Sequence, residues 1–173
     1  YSDVAVHDNG SVIVWSSLKQ DHSAWEVYGQ RFDADGNKLG DEFRVNTLIG
    51  SSQLFHSIAE HPDGRFVVAW QDAKADGRGW GVFAQRFAAD GSPVGSFTLV
   101  NETTIGNQHQ PRVKVLENGN VVFGWQGLGE SHSSQLHPGI FTRLFDQNLN
   151  TVFSEVQVSP TNFGNNHQFN IGG

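Results

Sequence analysis

HPDGRFVVAW, residues 61–70, has two echoes in the chain: HDNGSVIVW at 7–15 and LENGNVVFGW at 116–125. Each joins an apolar run to an Asp-Gly or Asn-Gly pair, the residues that tolerate the positive φ of a tight hairpin. Each ends on a tryptophan, and Trp15, Trp70 and Trp125 stand 55 residues apart. The stretch therefore reads as one hairpin of a repeated unit.

The rest of the unit repeats as well. VYGQRFDADGNKLGDEFRVN at 27–46 matches VFAQRFAADGSPVGSFTLVN at 82–101, pairing Gln30 with Gln85, Arg31 with Arg86 and Asn46 with Asn101. A third copy, IFTRLFDQNLNTVFSEVQVS at 140–159, keeps the apolar pattern but lacks the turn glycine. The linkers TIGNQHQPRV at 104–113 and NFGNNHQFNI at 162–171 also agree. Units of about 1–50, 51–106 and 107–164 follow, with the start of a fourth at 165–173.

Within a unit, four short runs alternate with turns, and none shows the 3.6-residue period of a helix. Four antiparallel strands repeated about every 50 residues describe an all-β fold of β-propeller type. A three-sheet β-prism also repeats three times, but its repeats are shorter than 55 residues. Strand 66–70 is apolar on both faces, as expected of a blade stacked between two others. From turn glycine to Trp the first copy is one residue shorter than the others, so a β-bulge is expected to keep Trp15 in phase. Three blades are fewer than the roughly four to eight of a closed ring. Either a homodimer completing a six-bladed ring or neighbouring repeats of a longer chain is expected to close it.

Composition sets outer bounds. A net charge of −7 argues against a nucleic-acid partner, whose phosphates require a basic face. No apolar run approaches the ~18 residues of a membrane-spanning helix, so no membrane insertion is expected. There is no Cys to form disulfides or thiolate metal sites. Starting at Tyr1 and holding no Met, the chain is expected to be a processed form or a piece of a longer one.

The pattern D-G-x-x-V-V-x-W, then G-V-F-A-Q-R-F-x-A-D-G-x-x-V-G and a strand ending V-N, spans 63–101. It resembles the ~50-residue β-repeats of large secreted, adhesin-like bacterial proteins associated with calcium-binding nonapeptide arrays. The resemblance implies an extracellular repeat module. The array motif G-G-x-G-x-D is absent, so the calcium link is not inherited and no cofactor is expected.

Candidate sites are few. DADGNKLGDE at 33–42 lacks the Gly and Glu spacing of a calcium loop and reads as a turn. Trp25 and Trp80 sit in loops beside Asp, Arg and Asn, where a flat indole can cover a sugar ring while polar neighbours bond its hydroxyls. Arg31 and Arg86 alternate with Phe32 and Phe87; they serve either a ligand between blades or a bridge to the next blade. His109 and His167 recur in GNQHQ and GNNHQ, whereas His137 lies in SHSSQLHPG, an insertion unique to the third copy. Because repeats multiply one binding site while catalysis needs an asymmetric constellation, a non-enzymatic, extracellular, lectin-like module that binds glycans is expected. The alternatives are an adhesin scaffold or protein-interaction module without a sugar ligand, and a polysaccharide-active enzyme using the His-rich insertion.

Overall fold

A computed structural model describes residues 1–18, 24–46, 51–73, 77, 79–130 and 136–159. Every regular element among them is a strand. The first sheet holds β1 (Ser2–His7), β2 (Gly10–Leu18), β3 (Trp25–Asp33) and β4 (Lys38–Arg44). The second holds β5 (Gln53–Glu60), β6 (Phe66–Asp72), β7 (Gly81–Phe87) and β8 (Pro93–Leu99). The third holds β9 (His109–Val115), β10 (Val121–Glu130), β11 (Leu136–Phe145) and β12 (Thr151–Gln157). Each is an antiparallel meander in chain order, a blade. β5 packs against both β1 and β9, so the first strand of each blade lies nearest the shared axis.

The turns explain the register. In the second and third blades the hairpin spans five residues, with Gly64 and Gly119 at φ 83° and 82° donating back to the carbonyls of His61 and Leu116. In the first blade His7 pairs directly with Gly10 across Asp8 and Asn9. The pairs Trp15–Tyr28, Trp70–Phe83 and Trp125–Phe141 are therefore equivalent. The missing residue is removed from the turn, and β2 runs in unbroken register with both neighbours. The bulge expected near Trp15 is not there. Bulges occur instead in the inner-strand pairings of the other blades, between Leu54 and Ser57 and opposite Gly124–Gln126.

Side-chain alternation gives each blade a small face and an aromatic face. Val12, Val14, Val27 and Val45 of the first blade meet Phe66, Val68, Trp70, Phe83 and Phe87 of the second. Val67, Ala69, Val82, Ala84 and Val100 then meet Val121, Phe123, Trp125, Phe141 and Phe145 of the third. Small side chains fill the spaces between rings, so the blades close to van der Waals distance. Trp70 and Trp125 are 0% exposed. Trp15 lies on the aromatic face of the first blade, which no other described blade covers, and it is only half-buried. Ala69 and Gly124 lie on second strands rather than on the inner ones.

Repeated polar residues close each blade. Gln30 Nε2 donates to the carbonyls of Arg31 and Gly40, and Gln85 Nε2 to those of Arg86 and Val94, where the β3–β4 and β7–β8 ladders shift register. Asn46 and Asn101 accept from the N–H of Val27 and Val82; Ser159 takes the same part for Ile140. Asp33 accepts from Asp35 N, Asn37 N and Asn37 Nδ2, so its carboxylate serves the turn. Asp146 repeats this with Asn148 and Asn150, and Leu149 at φ 61° replaces the missing glycine.

Candidate functional site at the propeller axis

The inner strands enclose a cavity of about 450 Å³ lined by the segments Tyr1–Asp3, Phe55–Ile58 and Gln110–Val113, the last without Pro111. Register makes these segments equivalent, because Val4, Ile58 and Val113 pair with Ile13, Val68 and Phe123, each two residues before its Trp. Stepping back along each strand, Asp3 corresponds to Ser57 and Arg112, Ser2 to His56 and Pro111, and Tyr1 to Phe55 and Gln110. The scaffold repeats while the chemistry at these places does not. Phe55 and Gln110 both adopt φ 50° at the bulges. Left-handed backbone at a non-glycine residue costs on the order of 1–3 kcal/mol and clusters at functional sites.

The hydrogen bonds define what each group has left to offer. Asp3 Oδ2 accepts from Ile58 N on the next blade at 3.1 Å, and Oδ1 from Val4 N at 3.0 Å. Ser57 Oγ repeats the inter-blade bond, accepting from Val113 N at 3.4 Å. His56 is 5% exposed; its Nδ1 lies 3.2 Å from Ser16 Oγ, and its Nε2 has no hydrogen-bond partner. Burial pushes the imidazole pKa down to about 4, against the opposing pull of Asp3. His56 is therefore neutral at pH 7, with one ring nitrogen unused. Tyr1 and Phe55 set their rings 4.5 Å apart at the cavity edge. An aromatic surface beside a carboxylate, an imidazole and a guanidinium can cover one face of a sugar and bond its hydroxyls.

The residues singled out from sequence do not converge. Trp25, 37% exposed, begins β3, and Trp80 precedes β7 with its N–H on Asn107 Oδ1. Register puts both at the end of the blades where β1 and β5 begin, outside the lining of the cavity. Arg31 and Arg86 are at the opposite end. Arg31 Nη1 bonds the Ala89 carbonyl at 2.8 Å, and Arg86 Nη1 bonds Asn148 Oδ1 at 3.0 Å. Each arginine thus ties its blade to the turn of the next. His109 is half-buried at the start of β9, and burial lowers its pKa. His137 lies on β11 opposite Gly129, with its side chain outside what is described. His167 lies outside the described residues. Asp3, His56 and Arg112 escaped the sequence reading. The signal that finds them is a comparison of YSDVAV, FHSIAE and QPRVKV for their differences rather than their likeness.

A second cavity of about 300 Å³ opens at the opposite end, between the first two blades, lined in part by His7, Arg31, Phe32, Glu60 and Asp63. The Glu60 side chain is 5% exposed; His7 Nε2 lies 3.3 Å from Oε1, and neither carboxyl oxygen makes a hydrogen bond. Burial pushes its pKa up to about 7. A carboxyl that resists ionisation when folded loses stability as pH rises from its unfolded value through 7. Glu60→Gln should therefore stabilise the protein at pH 8, by on the order of 2 kcal/mol, with no gain at pH 4. Urea denaturation at the two pH values measures this; equal effects at both would refute the burial assignment.

No family model and no curated protein matches the sequence. Solved structures do. The chain superposes on a thermostable family-43 glycoside hydrolase with a TM-score of 0.59 at 12% identity, covering 92% of this chain and 54% of that one. The α-L-arabinanase of Penicillium chrysogenum complexed with arabinobiose gives 0.58 at 15% identity, covering 86% and 44%. The endo-arabinase of Bacteroides thetaiotaomicron gives 0.50 at 17%, covering 80% and 54%. The chain spans about half the length of the structures it matches. Its fold is that of the β-propeller glycoside hydrolases, which excludes the prism alternative. Their rings have five blades, not the six counted for a dimer of three-bladed chains.

One expectation is overturned. A non-enzymatic module was expected on grounds of symmetry, yet the structural neighbours are glycoside hydrolases. The premise fails on the structure itself, since the repeat holds the backbone constant while Asp3, Ser57 and Arg112 differ.

Proposed function

We propose that the protein is a carbohydrate-active propeller that seats a glycan in the axial cavity, against Asp3, His56 and Arg112. The observation that carries this reading is the convergence of three chemically different copies of one strand on a single cavity, beside two strained residues. The likeness to an arabinanase complexed with arabinobiose supports a glycan as the ligand class. Tyr1 and Phe55 supply the apolar platform. A longer chain leaving the cavity on the side where Trp25 and Trp80 stand would meet those indoles next.

Glycoside hydrolysis ordinarily uses two carboxyl groups, one protonating the leaving oxygen and one activating water or attacking carbon. Asp3, held in place by the backbone N–H groups of Val4 and Ile58, is the carboxylate of the cavity that would take the base or nucleophile part. Among the described residues no second carboxylate lines the cavity, so turnover would draw its acid from outside them. Titration calorimetry against neutral and acidic oligosaccharides, with release of reducing ends followed in parallel, tests the reading. Asp3→Asn should weaken binding at least about tenfold, the size of losing one charge-assisted hydrogen bond. If no oligosaccharide binds at millimolar concentration, or if Asp3→Asn binds like the parent, the reading fails.

A further inference from the structure

The third copy reverses the chemistry of the inner strand. Asp3 and Ser57 use their oxygens to accept an N–H from the following blade, from Ile58 and Val113 respectively. At the equivalent place Arg112 can only donate. Arg112 is half-buried, and its guanidinium donates to the carbonyl of its own neighbour Pro111, Nη1 to O at 3.0 Å. Arg112 makes no ion pair among the described residues, and Asp3 is held by backbone instead. Among the described residues Nε and Nη2 have no hydrogen-bond partner, and Arg112 lines the cavity. A planar fork of donors is matched in geometry by a carboxylate or sulfate, which takes two parallel bonds.

The surroundings favour such a ligand over a second protein cation or a purely apolar one. Ser57 adds a hydroxyl to the lining, and the buried, neutral His56 ring adds no competing charge beside it. The Tyr1–Phe55 pair lines the same cavity, so it can offer an apolar face to a sugar ring whose substituents bond the polar groups. We infer that the axial site selects glycans bearing an anionic substituent, a uronate carboxylate or a sulfate ester gripped by the Arg112 guanidinium while the sugar ring rests on Tyr1 and Phe55. This rests on the axial-glycan reading above and narrows its substrate class.

The test separates the two. Binding is measured by calorimetry for tetragalacturonate, its methyl ester, a sulfated neutral tetrasaccharide and arabinotetraose, with the parent, Arg112→Lys and Arg112→Gln. The parent should prefer tetragalacturonate over its uncharged ester by about tenfold or more, and the preference should shrink as salt is added. Arg112→Gln should bring that preference close to one, with Arg112→Lys between, since an ammonium keeps the charge and loses the fork. A larger preference for the sulfated sugar would assign the substituent as sulfate. Equal binding of acid and ester by the parent, with no preference for the sulfated sugar over arabinotetraose, overturns the inference and leaves the axial reading standing. Absence of binding by every sugar removes both. Should Arg112→Gln fold poorly, the NMR signal of Arg112 Nε in the parent decides: it shifts with tetragalacturonate and not with the ester, or the inference is wrong.

Discussion

Trp70→Ala should cost about 4 kcal/mol of folding stability, while Trp15→Ala should cost no more than about 1.5 kcal/mol. The two residues occupy the same place in the repeat and pair with equivalent partners, Phe83 and Tyr28. They differ in what covers them. Trp70 is buried in the core that Val12, Val14 and Val27 complete from the first blade, and it stacks on Phe83 at 6.5 Å between centroids. Its truncation leaves a cavity between two packed sheets that cannot collapse without moving a blade, the situation in which large-to-small changes are most costly. Trp15 faces outward from the first blade and loses only part of its contact area. Trp125, also 0% exposed, should behave like Trp70. Chemical denaturation of the three variants gives the values directly, and equal costs at Trp15 and Trp70 would mean that the faces are wrongly assigned.

The second large effect is on acid stability and comes from the candidate site. His56 takes a proton near pH 6.5 when unfolded and refuses it until about 4 when folded. Between those values the unfolded state binds more protons, so His56 makes stability fall as pH falls, by up to about 3 kcal/mol. Glu60 works in the opposite sense between its unfolded value of 4.5 and about 7. From pH 4.5 to 6.5 the two slopes oppose each other, and the parent protein should show little net change from this pair. Substitution uncovers each slope in turn. His56→Gln should become less stable as pH rises across this window, and Glu60→Gln more stable. Denaturation midpoints at several pH values would show it; parallel profiles for parent and both variants would contradict the burial of these groups.

Much of the fold was legible because it is written locally. Asn-Gly and Asp-Gly turns, the Gln-Arg-Phe of β3 and β7, and one Trp per unit each act within a blade, so their recurrence reports the blade. The short first turn was misread as a strand bulge. A turn can lose a residue without disturbing pairing, and no sequence feature distinguishes the two until registers are compared. The candidate site was hidden for a different reason. A search for repeats rewards agreement, whereas the axial cavity is made where the copies disagree. Arg31 and Arg86 drew notice because they recur, and recurrence is what an inter-blade tie to Ala89 or Asn148 requires. Asp3, His56 and Arg112 occur once each, on strands whose common feature is apolar alternation, and only the ring geometry brings them together.

The most direct measurement is backbone chemical-shift mapping of the isotopically labelled protein during titration with its tightest-binding oligosaccharide. Shifts confined to Asp3, Phe55–Ile58 and Gln110–Val113, with smaller changes reaching Trp25 and Trp80, are the predicted result. Shifts centred on Trp25 and Trp80 with the inner strands silent would move the site to the loops, and no shifts at saturating sugar would remove it altogether.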